Sequence, residues 1–92
     1  MTVKYSVHAE EKLSARSIRK EDVERVIVES QQQFVDVEQD AKVAIGPVDD
    51  RSVIVVYRMV NADIKVITVY HSRKLEKLVS SKMERGAWKE IL

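Results

Sequence analysis

Two runs rich in valine and isoleucine, Ser52–Val60 and Ile64–Tyr70, stand on either side of Asn61-Ala62-Asp63 and constrain this chain more than any other feature. β-Branched side chains suit extended backbone. Their near-continuity, in place of apolar–polar alternation, predicts central strands covered on both faces. The rest of the chain must supply that cover and the neighbouring strands.

Elsewhere the patterns are weaker but readable. Phe34–Glu38 and Lys42–Ile45 alternate with period two around a turn at Gln39–Ala41, and Gly46-Pro47 is expected to end that hairpin before a loop at Asp49-Asp50. Upstream, Ser6 can cap a helix running to about Arg16, with Glu10 and Glu11 early and Leu13 on its apolar side. Ile18 reads as an inward anchor. A second helix is expected over Lys20–Ser30, where Val23, Val26 and Ile27 recur at helical spacing behind Glu21-Asp22. Ser72 can cap a last helix striped by Leu75, Leu78, Val79 and Met83, which Gly86 interrupts before Trp88, Ile91 and Leu92. The expected fold is one α+β domain over residues 1–92: two N-terminal helices, a four-stranded antiparallel meander sheet and a C-terminal helix.

A chain of 92 residues can build one core. The absence of cysteine excludes disulfides, thiolate nucleophiles and thiolate zinc sites, and fits a reducing compartment. Met1–Glu10 lacks a basic stretch followed by an apolar one, and no apolar run approaches the ~20 residues of a membrane span. A cytoplasmic protein without membrane contact is expected.

Net charge is only +1, yet residues 31–50 hold five acidic groups against Lys42, and residues 51–92 hold nine basic against four acidic. Such asymmetry permits a polyanion-binding face and equally describes a solvated surface. No phosphate loop, zinc motif or nucleophile elbow is present, and no metal or cofactor is expected. If the Asn61 loop has an even number of residues, Arg58 and Lys65 share a sheet face with Ser52, Val69 and His71, and Tyr70 takes the other. Paired cations need an anion between them: a phosphate, Asp63 or Glu38. Tyr70-His71-Ser72-Arg73-Lys74 is the densest polar cluster; it can bind phosphate at a helix start or simply cap that helix. Lys74, Lys77 and Arg85 lie on one side of the last helix. His8 and Arg16 can line a site or pack locally, and Trp88 can anchor the core or a partner.

The run His8-Ala9-Glu10-Glu11-Lys12-Leu13-Ser14-Ala15-Arg16-Ser17-Ile18, followed by Glu21-Asp22-Val23, resembles the opening of the domain-of-unknown-function family 4258. Val66–Tyr70 resembles its closing strand. Lys12, Ser17 and Arg19 depart from that pattern. The family looks related to the RelE and BrnT group of small toxins, metal-independent endoribonucleases neutralised by an antitoxin. The resemblance implies a RelE-like fold and RNA, ribosome-bound mRNA included, as substrate. By the same resemblance, Arg58 and Arg73 would stabilise the phosphorane, His71 would exchange protons, and Arg51 and Lys65 would hold RNA, which Lys74 and Lys77 on the basic side of the last helix can also contact. The rival expectation is a non-catalytic module that dimerises or docks a partner through its C-terminal helix, Trp88 end or a sheet edge.

Overall fold

Strand β4 (Arg51–Val60) is buried on both faces from Val53 to Tyr57, as its composition requires. The computed structural model, which describes residues 2–91, sets it inside a sheet of order β1-β5-β4-β3-β2-β6. The other strands are β1 (Val3–Tyr5), β2 (Gln32–Asp36), β3 (Ala41–Val48), β5 (Asp63–Ser72) and β6 (Trp88–Glu90). Helices α1 (Val7–Arg16) and α2 (Lys20–Glu29) cover one face, and α3 (Leu75–Glu84) rests on the other. The α+β class stands, but the four-stranded antiparallel sheet is corrected to six strands, with β1 parallel to β5. Both additions are three residues long, too short to show a period.

Each face has its own core. Under α1 and α2, Ala9, Leu13, Val23 and Val26 pack on Ala44, Val53, Val55 and Val66. On the α3 side, Phe34, Val43, Ile54, Val56 and Trp88 pack together. Fully burying a valine or isoleucine contributes about 1.5–3 kcal/mol, so alternate β4 side chains stabilise alternate layers. No α3 residue is buried; Leu75, Leu78 and Val79 are only partly covered.

Gly46-Pro47 does not end β3. Gly46 pairs with Val53 and Pro47 with Ser52, beyond the last β2 partner at Ile45. On the side that β2 has left, proline's missing N–H costs no ladder bond. A Cβ on Gly46 would lie 3.2 Å from Val26 Cγ2, so glycine here admits α2. The α3 C-terminus closes at Gly86 (φ 76°), where Ala87 N–H donates to Lys82 O and Gly86 N–H to Met83 O in a Schellman motif.

The β4–β5 ladder contains one irregularity. Val56 pairs with Thr68 but Tyr57 pairs with Val66, which leaves Ile67 as a bulge. Ser6 serves this bulge and α1 together: its Oγ accepts from Ala9 N–H at 3.0 Å and donates to Ile67 O at 2.8 Å. Ser6→Ala removes the cap and leaves that carbonyl without its donor. It is expected to cost about 1–2 kcal/mol, read from urea unfolding followed by circular dichroism.

Candidate functional site

The loop between β4 and β5 is two residues, Asn61-Ala62, so Arg58 stands opposite Lys65 as an even loop demands. Their repulsion is not relieved by Asp63, which pairs with Lys4, or by Glu38, which pairs with Arg85. Instead Arg58 Nε and Nη2 donate to Asp40 O and Gln39 O, at 3.2 and 2.6 Å. The guanidinium clamps the β2–β3 turn, and Lys65 remains exposed.

Beyond Ile67 the bulge reverses the expected faces. Val69 pairs with Val55 and His71 with Val53, on the α1–α2 side, whereas Tyr70 packs on the α3 side. His71 therefore lies on the opposite sheet face from Arg58. At ~3.3 Å per residue the two also stand roughly 20 Å apart along the ladder. Arg58, His71 and Arg73 do not form one centre.

The structure gathers a different set at the far end of the ladder. Arg51 Nη1 and Nη2 donate to Arg16 O (2.6 Å) and Ser17 O (3.2 Å), placing a guanidinium on the C-terminal carbonyls of α1. His71 lies one residue pair away on that face, half-buried, and its Nδ1 is buried without a hydrogen-bond partner. Arg16 Nε is likewise buried and unpartnered. Arg73, Lys74 and Lys77 follow, exposed and without an ion pair among the described residues. Ser72 does not cap α3 directly: its Oγ accepts from Lys74 N–H, and the helix begins at Leu75 without a side-chain cap. A cavity of about 490 Å³ opens nearby, lined by Ser52 and Leu75 and, from the α2 end, Arg25, Glu29 and Gln31.

Sequence reasoning linked Arg16 to His8. His8 is exposed in the first turn of α1, at the other end of the helix from Arg16. No short-range pattern signals the pairing of Arg16 with Arg51, which lies 35 residues away. Trp88 belongs to the core: it is 2% exposed, stacks on Phe34 at 5.3 Å, and donates from Nε1 to the buried Asp36 carboxylate at 3.3 Å. Ile91 is exposed, and Leu92 lies outside the described residues. Among the described residues no group of His, Cys, Asp or Glu is arranged to hold a metal ion, and no helix is long and apolar enough to cross a membrane.

The shifted ionisations lie away from this end or inside the cores. Burial raises Tyr57, and burial with the Asp36 charge raises Tyr70. Burial and the Glu24 carboxylate, which accepts its hydroxyl at 3.0 Å, push Tyr5 far above its usual value. The hydrogen bond from Arg19 outweighs burial and holds Asp22 below the usual carboxylate value, with Arg25 also paired to it. A lowered native pKa means that Asp22 stabilises the fold above the unfolded value of about 3.9. That contribution is lost as pH falls through the native value. Asp22→Asn is therefore expected to lower the urea midpoint at pH 7, by a margin that shrinks progressively as pH is lowered below about 3.9.

No curated protein and no solved structure matches the chain. The family model described as domain of unknown function (DUF4258) matches residues 5–71, from β1 to the His71 end of β5 and short of α3. This span holds α1, α2 and the bulged β4–β5 ladder, and the chain belongs to that family.

Proposed function

We propose that this domain is a toxin-like RNA-binding protein of a toxin–antitoxin system, with its RNA site at the Arg51–Lys77 end of the β4–β5 ladder. One observation carries the reading: Arg73, Lys74 and Lys77 stand exposed, with no ion partner among the described residues, beside Arg51 and His71. Uncompensated cations at one end of a sheet favour a polyphosphate by releasing its counterions. A relation of this family to the RelE and BrnT toxins would add the substrate class and a RelE-like fold.

Metal-independent cleavage is the chemistry to test at this site. The ribose 2′-oxygen would attack the adjacent phosphorus as the 5′-oxygen leaves, giving a 2′,3′-cyclic phosphate and a 5′-hydroxyl end. His71 would take the 2′-OH proton through Nε2, since Nδ1 is buried, a solvent water would protonate the leaving 5′-oxygen, and Arg73 would stabilise the phosphorane. Lys65, roughly 20 Å off along β5, would hold a different part of the strand, while Arg58 keeps its clamp on the β2–β3 turn.

The triple variant Arg73→Ala/Lys74→Ala/Lys77→Ala is expected to reduce the slope of log affinity against log salt by about 2, since each single-strand phosphate contact contributes ~0.7. Fluorescence anisotropy with a labelled single-stranded RNA measures it. An unchanged slope removes these residues from the site. Induction in bacteria with 5′-end mapping tests cleavage: new RNA ends with wild type and none with His71→Ala support the nuclease step, whereas intact RNA with wild type leaves binding alone.

A further inference from the structure

The helical layer leaves part of its own sheet face bare. Helices α1 and α2 pack on β5, β4 and β3, whereas β2 and β6 lie beyond them. Register assigns the bare side chains: Val35 stands beside Lys42 on β3 and Lys89 on β6, and Lys42 beside Tyr57 on β4, on the α1–α2 face. Met59, two residues along β4, shares that face, and Ile91 follows Lys89. Val35 is 37% exposed, Met59 46% and Ile91 39%. A cavity of about 310 Å³ opens there, lined by Val35, Lys42, Met59, Ala41, Arg58 and Asp40.

The charges of this patch are predominantly positive: Lys42 and Arg58 line the cavity against Asp40, and Lys89 adjoins them on β6. Lys42 and Lys89 project from it without an ion pair among the described residues. The strand carboxylates nearby, Asp36 and Glu90, pair with the other face, beside Trp88 and Phe34. Four neighbouring strands span about 14 Å at ~4.8 Å each, the length of roughly ten helical residues.

We propose that this face receives an amphipathic helix of another protein, with apolar residues on Val35, Met59 and Ile91 and carboxylates on Lys42 and Lys89. The docked helix extends the α1–α2 layer over β2 and β6. The proposal rests on charge complementarity with an apolar floor and does not depend on the RNA site.

The test uses a synthetic helical peptide with leucines on one face and glutamates on both flanks, titrated into the full chain. Fluorescence anisotropy gives affinity and amide chemical shifts give the location. The expected result is saturable binding that perturbs Val35, Lys42 and Met59. Lys42→Glu/Lys89→Glu should weaken it by about tenfold, and a lysine-flanked version of the peptide should then bind that variant better. Val35→Asp should abolish it while unfolding stays cooperative. No binding, binding indifferent to flank charge, or shifts confined to the Arg73 end would overturn the proposal. So would a concentration-dependent mass of the chain alone that Val35→Asp abolishes, because the occupant would then be a second copy.

Discussion

A strand buried on both faces cannot stand alone in a domain of this size, and β4 sets that constraint for the whole molecule. Val53, Val55 and Tyr57 enter one core while Ile54 and Val56 enter the other. Two layers of cover are therefore obligatory, and the chain supplies them unequally. α1 and α2 give the first layer buried residues at helical spacing, whereas α3 contributes only partly covered ones. The second layer depends instead on the Phe34–Trp88 stack and on the indole N–H bonded to Asp36. A buried carboxylate is costly without donors, and Asp36 receives three, counting Gln39 N and Nε2. The Trp88 bond fixes the β2 end against β6, so the last strand is held by polar satisfaction as much as by packing.

Much of this architecture was legible in the sequence because it rests on local rules. Both N-terminal helices begin and end within a residue of where caps and periodicity put them, and Ser6 acts as the expected cap. Ile18 is buried as an anchor, and β4 is central. What local rules could not supply were pairings with partners distant in sequence. β1 exists because Val3–Tyr5 meet Ile64–Val66, and β6 because Trp88–Glu90 meet Phe34–Asp36. Pro47 misled for a related reason: a proline that breaks a central strand is harmless where the neighbouring strand has already stopped.

The candidate site was legible residue by residue and illegible as an arrangement. The sequence left the loop parity open, and the two-residue loop of the structure sets Arg58 opposite Lys65. One inserted residue, Ile67, then moved His71 to the other face, because side chains alternate with a period of two and an odd insertion inverts everything beyond it. Nothing in Val66-Ile67-Thr68 distinguishes a bulged isoleucine from a paired one. Its mark lies in Ser6, whose hydroxyl bonds Ile67 O from 61 residues away.

That inversion changes which groups can act together. On the expected face His71 would have joined Arg58 and Lys65 over the α3 core; on the observed one it joins Arg51 against the end of α1. Arg51 is already committed to two helix carbonyls, so it positions that end of the sheet and retains little capacity to bind a ligand directly. Free cationic capacity then falls to Arg73, Lys74 and Lys77, which follow His71 at the start of α3. Lys77 sits on, and Arg73 and Lys74 lead into, the helix with no buried residue among the described ones, tied to the sheet less firmly than α1 or α2. A ligand gripping these side chains would gain a surface that can adjust, while the imidazole beside them stays fixed by the ladder.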